Sequence, residues 1–134
     1  MSYKILEHIV DARIYVDGKD LAELFESAIA GMMEMYGPEG IQKETANRKV
    51  SVESDNQSYL LIDFLNEILI LVNKHKEIYT IKKFKKISNN EVEAILSGQR
   101  ASHFNKDIKA ATYHEANIRK NDDGLLETNI VFDI

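Results

Sequence analysis

The stretch from Ser58 to Lys74 constrains the fold more than any other part of the chain. Leu61, Phe64, Leu65, Ile68, Leu69 and Val72 recur at helical spacing, and Leu60, Ile62, Ile70 and Leu71 add apolar positions around the rest of the circumference. A helix this apolar has to be buried on most sides, so it is expected over 58–74 at the centre of the molecule. Its one polar stripe, Asp63, Asn66 and Glu67, must then face solvent or a polar cluster. The chain has 134 residues, 44% of them apolar and 29% charged, which suits one domain, 1–134, and rules out disorder. A chain of this size buries roughly two thirds of its unfolded surface without help from cross-links.

A second helix is expected over 21–36. Leu21, Leu24, Phe25, Ala28, Ile29, Met32, Met33 and Tyr36 mark its apolar face, Asp20 with Glu23 forms a capping box, and Gly37-Pro38 ends it. Its methionines read as core packing. The remaining segments alternate as strands do. Residues 3–16 read as one extended strand with Lys4, Leu6, His8, Val10, Ala12, Ile14 and Val16 on a largely apolar face. A loop over 39–47 leads to a short strand at 49–53. Strands are expected at 79–87 and 91–97 around Ser88–Asn90, and at 108–119 and 125–133 around Asn121–Gly124, where Asp-Gly is a hairpin signal. The order gives an α+β fold with two helices packed on a mixed, largely antiparallel β-sheet.

Cysteine is absent, which excludes disulfides, thiolate metal sites and thiol nucleophiles. No apolar run reaches the ~18 residues of a membrane span, and acids occur too early for a signal peptide, so a cytoplasmic protein without membrane contact is expected. The net charge of −5 is unevenly placed. Residues 1–73 hold 13 acids and 6 bases; residues 74–134 hold 9 acids and 11 bases. The basic excess centres on Lys74, Lys76, Lys82, Lys83, Lys85 and Lys86. Without arginine or regular aromatic interleaving, these lysines read as a solvated strand edge guarded against aggregation rather than a phosphate-binding face. Direct nucleic-acid binding is expected to be weak or absent.

Stand-alone catalytic motifs are missing: there is no phosphate-binding loop, dinucleotide fingerprint, H-E-x-x-H or G-x-S-x-G. His8, His75, His103 and His114 are too scattered for a zinc site, and His114, on the parity of Ile108, Ala110, Ala116 and Ile118, reads as a core histidine. The sequence stops directly after a strand, at Phe132-Asp133-Ile134. The α-carboxylate of Ile134 beside that of Asp133 suits a hard cation, and Asp11 offers a third carboxylate.

Five segments in order resemble the archease family: Glu7-His8-Ile9-Val10-Asp11; Gly18-Lys19-Asp20-Leu21 with Glu23-Leu24-Phe25-Glu26 and Gly31-Met32; Phe64-Leu65-Asn66-Glu67; Lys109-Ala110-Ala111-Thr112-Tyr113-His114; and Val131-Phe132-Asp133-Ile134. The resemblance implies a single archease-like domain that assists an RtcB-type RNA ligase. Such a ligase joins a 3′-phosphate or 2′,3′-cyclic phosphate end to a 5′-hydroxyl through a histidine–guanylate, in tRNA splicing or RNA repair. It implies a non-enzymatic accessory protein that promotes guanylylation and multiple turnover. It also implies a divalent cation, Ca²⁺ first and Mg²⁺ or Mn²⁺ next, on Asp11, Asp133 and Ile134. His8, Asp63, Glu67, Lys109, Thr112 and His114 are the supporting candidates. Where the family carries threonine and glycine, this chain has Ile9 and Arg13, and the Arg13 cation is placed to compete for Asp11 or to lie on a partner-binding surface. The alternatives are a general chaperone or modulator of RNA-processing enzymes, and a small hydrolase using Asp11 and Asp133 on a metal with His8 or His114 as base.

Overall fold

The structure is a computed structural model that describes residues 1–6 and 12–134. In chain order the elements are β1 (Ser2–Leu6), β2 (Ala12–Gly18), α1 (Leu21–Tyr36), β3 (Pro38–Glu39), β4 (Glu44–Glu53), α2 (Gln57–His75), β5 (Glu77–Ile87), β6 (Glu91–Arg100), β7 (His103–Phe104), β8 (Ala110–Thr112), β9 (Arg119–Lys120) and β10 (Leu126–Asp133). Every strand pair is antiparallel. One sheet runs β1-β2-β10-β8 with β9 also on β10, a second runs β4-β6-β5, and β3 pairs with β7. The α+β class is therefore as expected.

Both helices form where capping and periodicity place them. Asp20 accepts the Glu23 N–H at 2.9 Å, and Gly37 closes α1 in the left-handed region at φ 58°. The methionines of α1 are core residues, with Met32 fully buried. Asn56 caps α2 by accepting the Tyr59 N–H, and Lys76 ends it with its N–H on the Val72 carbonyl at 2.8 Å. Leu60, Leu61, Ile62, Phe64, Leu65 and Ile68 are fully buried, which makes α2 the apolar centre. It packs on β4, β5, β6 and β8, while α1 touches β1, β2 and β10 of one sheet and β5 of the other.

Two strand expectations are corrected. Residues 3–16 are not one strand: β1 folds back on β2, with Ser2 opposite Asp17 and Leu6 opposite Arg13. Tyr3 then shares the inward register of Val16, and Lys4 faces outward beside Tyr15. Asp11 and His8, placed by parity on the supposed single strand, lie outside the described residues. Residues 108–119 are not one strand either. Of this stretch only Ala110–Thr112 (β8) and Arg119, with which β9 begins, pair with β10, separated by a turn at 113–115 where Glu115 takes φ 63°.

β5 faces the core at Tyr79 and Ile81 in a step of two, then at Ile81, Phe84 and Ile87 in steps of three, as the register against β6 shifts between Ile81 and Lys83 and again between Phe84 and Lys86. Each bulge takes up one extra residue without turning the next apolar side chain outward. Lys82, Lys83, Lys85 and Lys86 are all exposed on this edge strand, as the edge reading expects. At the other end of β5, buried Glu77 accepts from Arg48 Nε at 3.2 Å and from the Tyr79 hydroxyl at 2.8 Å. A Cβ on Gly98 of β6 would lie 2.9 Å from that carboxylate and 2.8 Å from the Tyr79 ring, so this cluster requires glycine beneath it.

Among the described residues, Asp17, Glu23 and Glu127 titrate below the usual carboxyl range. Burial alone pushes Asp17 up, but hydrogen bonds from Ser2 Oγ at 2.7 Å and the Tyr15 hydroxyl at 3.1 Å help to reverse this. Glu23 is lowered chiefly by the Met1 amine at 2.6 Å, and Glu127 chiefly by Asn121 Nδ2 at 2.9 Å. Such groups bind protons more readily in the unfolded chain, so their contribution is present above the unfolded pKa and is lost as pH falls through the folded one. Thermal melts should be level from about pH 7 to about pH 5 and fall below about pH 4.5; a level midpoint down to about pH 3 would contradict this.

Candidate functional site

The site is built on the end of β10 and on the segment that α2 pins against it. In β10, Thr128, Ile130 and Phe132 face the core, whereas Glu127, Asn129, Val131 and Asp133 share the outer register. Phe132 pairs with Ala12 of β2 on one side and with Ala111 of β8 on the other. The Asp133 side chain is exposed at the end of this strand, next to Ile134 at 46% exposure. Its backbone is fixed, since the Lys109 N–H donates to the Asp133 carbonyl at 2.8 Å.

The segment 109–118 owes its position to polar residues of α2. Asn66 Nδ2 donates to the Ala111 carbonyl at 3.0 Å, and the Ala111 N–H donates to Asn66 Oδ1 at 2.8 Å. This side-chain amide occupies the free edge of β8 as a neighbouring strand would. The Tyr113 hydroxyl and Ser54 Oγ both donate to Asp63, and the Ile118 N–H donates to Ser58 Oγ at 2.9 Å. The polar stripe on α2 thus faces a polar cluster at Asp63 and Asn66, while Glu67 is exposed. Asp63 raises the Tyr113 hydroxyl pKa by accepting a hydrogen bond from it. Tyr59 packs against Tyr113 with ring centroids 4.8 Å apart and the planes tilted by 57°, and both rings are about half exposed.

The outer face carries a pair that sequence reasoning missed. Arg13 donates to Glu115 at 2.7 Å, so a carboxylate from the 113–115 turn meets the Arg13 cation. A non-glycine residue at positive φ leaves no mark in a hydropathy pattern, so nothing in the sequence pointed to Glu115. Thr112 sits across from Val131, which is itself across from Arg13. His114 corrects the core reading: it is exposed in the turn, 3.7 Å from Glu115. Lys109 is exposed as well.

The structure thus gathers Asp133, Ile134 and the Lys109 backbone at one strand end, and Thr112, Glu115 and Arg13 on the adjoining face. Asp63 is engaged by Ser54 and Tyr113 instead. His8 and Asp11 lie outside the described residues. Among the described residues, no three His, Asp or Glu side chains cluster as metal ligands, and the Asp133 carboxylate has no hydrogen-bond or ion-pair partner. The exposed Asp133 carboxylate is a hard oxygen donor.

Two helices, antiparallel sheets and a last strand ending in oxygen donors define a class of small α+β protein. The model of the Archease protein family matches residues 3–134, and the chain belongs to that family. It is 32% identical to a protein archease of Methanosarcina acetivorans, over 98% of this chain and 95% of that one. It is 28% identical to a protein archease of Methanothermobacter thermautotrophicus, over 98% of each. Two solved structures share the fold. A Methanobacterium thermoautotrophicum protein superposes with a TM-score of 0.77 at 22% identity, covering 98% of each chain. A Thermotoga maritima archease, described as a possible chaperone, gives 0.69 at 24% identity, covering 98% of this chain and 96% of that one. No helix among the described residues is long and apolar enough to cross a membrane.

Proposed function

We propose that this protein is an accessory factor of an RtcB-type RNA ligase, promoting guanylylation of the ligase histidine and its repeated turnover. It acts by protein contact in the cytoplasm and supplies no catalytic step of its own. The observation that carries this reading is the family match along residues 3–134, which takes in all five motifs in order. Asp11, Asp133 and the Ile134 carboxylate are the residues that would hold a divalent cation, Ca²⁺ in the first instance. A bound cation would offset the repulsion between carboxylates gathered at one strand end. The chain's own residues do the rest. Asn66 holds β8 on β10, the Lys109 N–H fixes the Asp133 backbone, and Glu115 occupies the Arg13 cation that would otherwise compete for carboxylates.

The test is transfer of radiolabelled guanylate from GTP to a cognate ligase. Added at substoichiometric ratio, the protein should raise both the rate and the number of ligation turnovers, and should leave GTP and RNA untouched when alone. Phosphoester hydrolysis by the isolated protein would favour the hydrolase alternative. Equal turnover with and without it would remove the ligase reading.

A further inference from the structure

A groove between α1 and β5 lies apart from the chain end. Glu26, Ile29, Ala30 and Met33 form one wall with Met1, and Ile78–Ile81 the other, enclosing about 230 Å³. That is below the roughly 300–1,000 Å³ of a small-molecule pocket, and it suits side chains presented by a peptide. β5 is an edge strand, and among the described residues the backbone of 78–81 hydrogen-bonds only within its sheet. The outward N–H and C=O groups of such a strand can accept another strand. The register on β6 is regular from Glu77 to Ile81, and both bulges fall beyond it. Bulges spoil further pairing, so the stretch of edge left open is the one that lines the groove. The exposed lysines 82, 83, 85 and 86 follow directly along the strand. Lys82 and Lys86 reach Glu44 and Glu91 only at 3.8 and 3.5 Å, between exposed side chains, and such pairs give way easily.

We propose that this edge and groove bind an extended peptide segment of a partner protein by strand addition, with apolar side chains in the groove and acidic ones beside the lysines. Main-chain hydrogen bonds along 78–81 supply affinity, and alternate side chains entering between Ala30 and Ile81 supply selectivity. Antiparallel pairing is the stronger ladder, so the acidic half of the peptide comes first. A second copy of this chain is a poor occupant, because antiparallel pairing of 78–81 with itself runs Lys82–Lys86 toward the Lys74–Lys76 end of the other copy and offers the lysines no acidic run. A lysine run alone would suit any polyanion; the apolar groove and open edge select a peptide. The site is separate from the chain end, so the outcome of the guanylylation assay neither supports nor removes it.

The probe is fluorescein-labelled Glu-Asp-Glu-Asp-Val-Thr-Ile-Val, titrated with full-length protein by fluorescence anisotropy. Saturable binding is expected, with Kd on the order of 10–100 μM. Ala30→Glu, at a half-buried helix position in the groove, should weaken it at least about tenfold, and Lys82→Glu with Lys83→Glu should weaken it and flatten its salt dependence. A peptide N-methylated at its Thr and Val should fail to bind. No saturation below about 1 mM, or equal binding by the N-methylated peptide, overturns the proposal. It is also overturned by a dimer in sedimentation that Ala30→Glu dissolves, or by single-stranded RNA that binds with groove-independent affinity and displaces the peptide.

Discussion

Leu65→Ala is expected to cost about 2–5 kcal/mol in a denaturant titration, one of the largest stability losses open to a single side chain here. Leu65 is fully buried on α2, with fully buried Phe64 and Leu61 on the same helix. Removing its branched end costs the transfer of those methyl groups and leaves a void that the surrounding strands can only partly fill. Ile70 on the same helix is 57% exposed, and Ile70→Ala should stay within about 0.5 kcal/mol. A Leu65 loss below about 1 kcal/mol would show that the apolar centre lies elsewhere.

Asp133→Asn is expected to reduce Ca²⁺ affinity at least about tenfold, equivalent to about 1.4 kcal/mol, and to abolish most ligase activation. The substitution removes one full negative charge but keeps the size of the side chain and one oxygen donor. Asp133 is exposed and lacks a protein partner among the described residues, so the melting temperature in metal-free buffer should not fall. Relief of repulsion with the Ile134 carboxylate could raise it. Calorimetric titration of Ca²⁺ into both proteins, beside guanylate transfer, checks the pair of effects. Equal affinity would remove Asp133 from the proposed ligands, and lost activation at equal affinity would assign it to ligase contact.

The helices were legible because their signals are local. Asp20, Glu23, Gly37 and the spacing of Leu24, Ala28 and Met32 refer to one turn of chain and its neighbours. Strand connectivity was less legible, because alternation is the same in one long strand and in two strands folded back on each other. The visible warning was Lys4, a charge on the apolar parity of 3–16. At 108–119 the alternation broke for a reason remote in sequence. Asn66 and Ser58 on α2 take up backbone hydrogen bonds that a strand would have made, Asp63 holds the Tyr113 hydroxyl, and Glu115 bends the chain to meet Arg13. β5 kept its apolar face by bulging, which a period-two template does not anticipate. Of the candidate site, Asp133 and Ile134 were readable as donors, whereas Glu115, paired with a residue on another strand, was not.

The amide of Asn66 on the edge of β8 also bears on how the native state opens locally. Where a strand covers an edge, the sheet can breathe at that edge while its helices stay packed. Here the covering group belongs to α2, so freeing the Ala111 N–H means moving a side chain of the apolar centre or withdrawing β8 from β10. Either event is larger than the fraying of a three-residue strand. The segment that abuts the chain end is therefore tied to the buried central helix, and a short surface strand should share that helix's persistence.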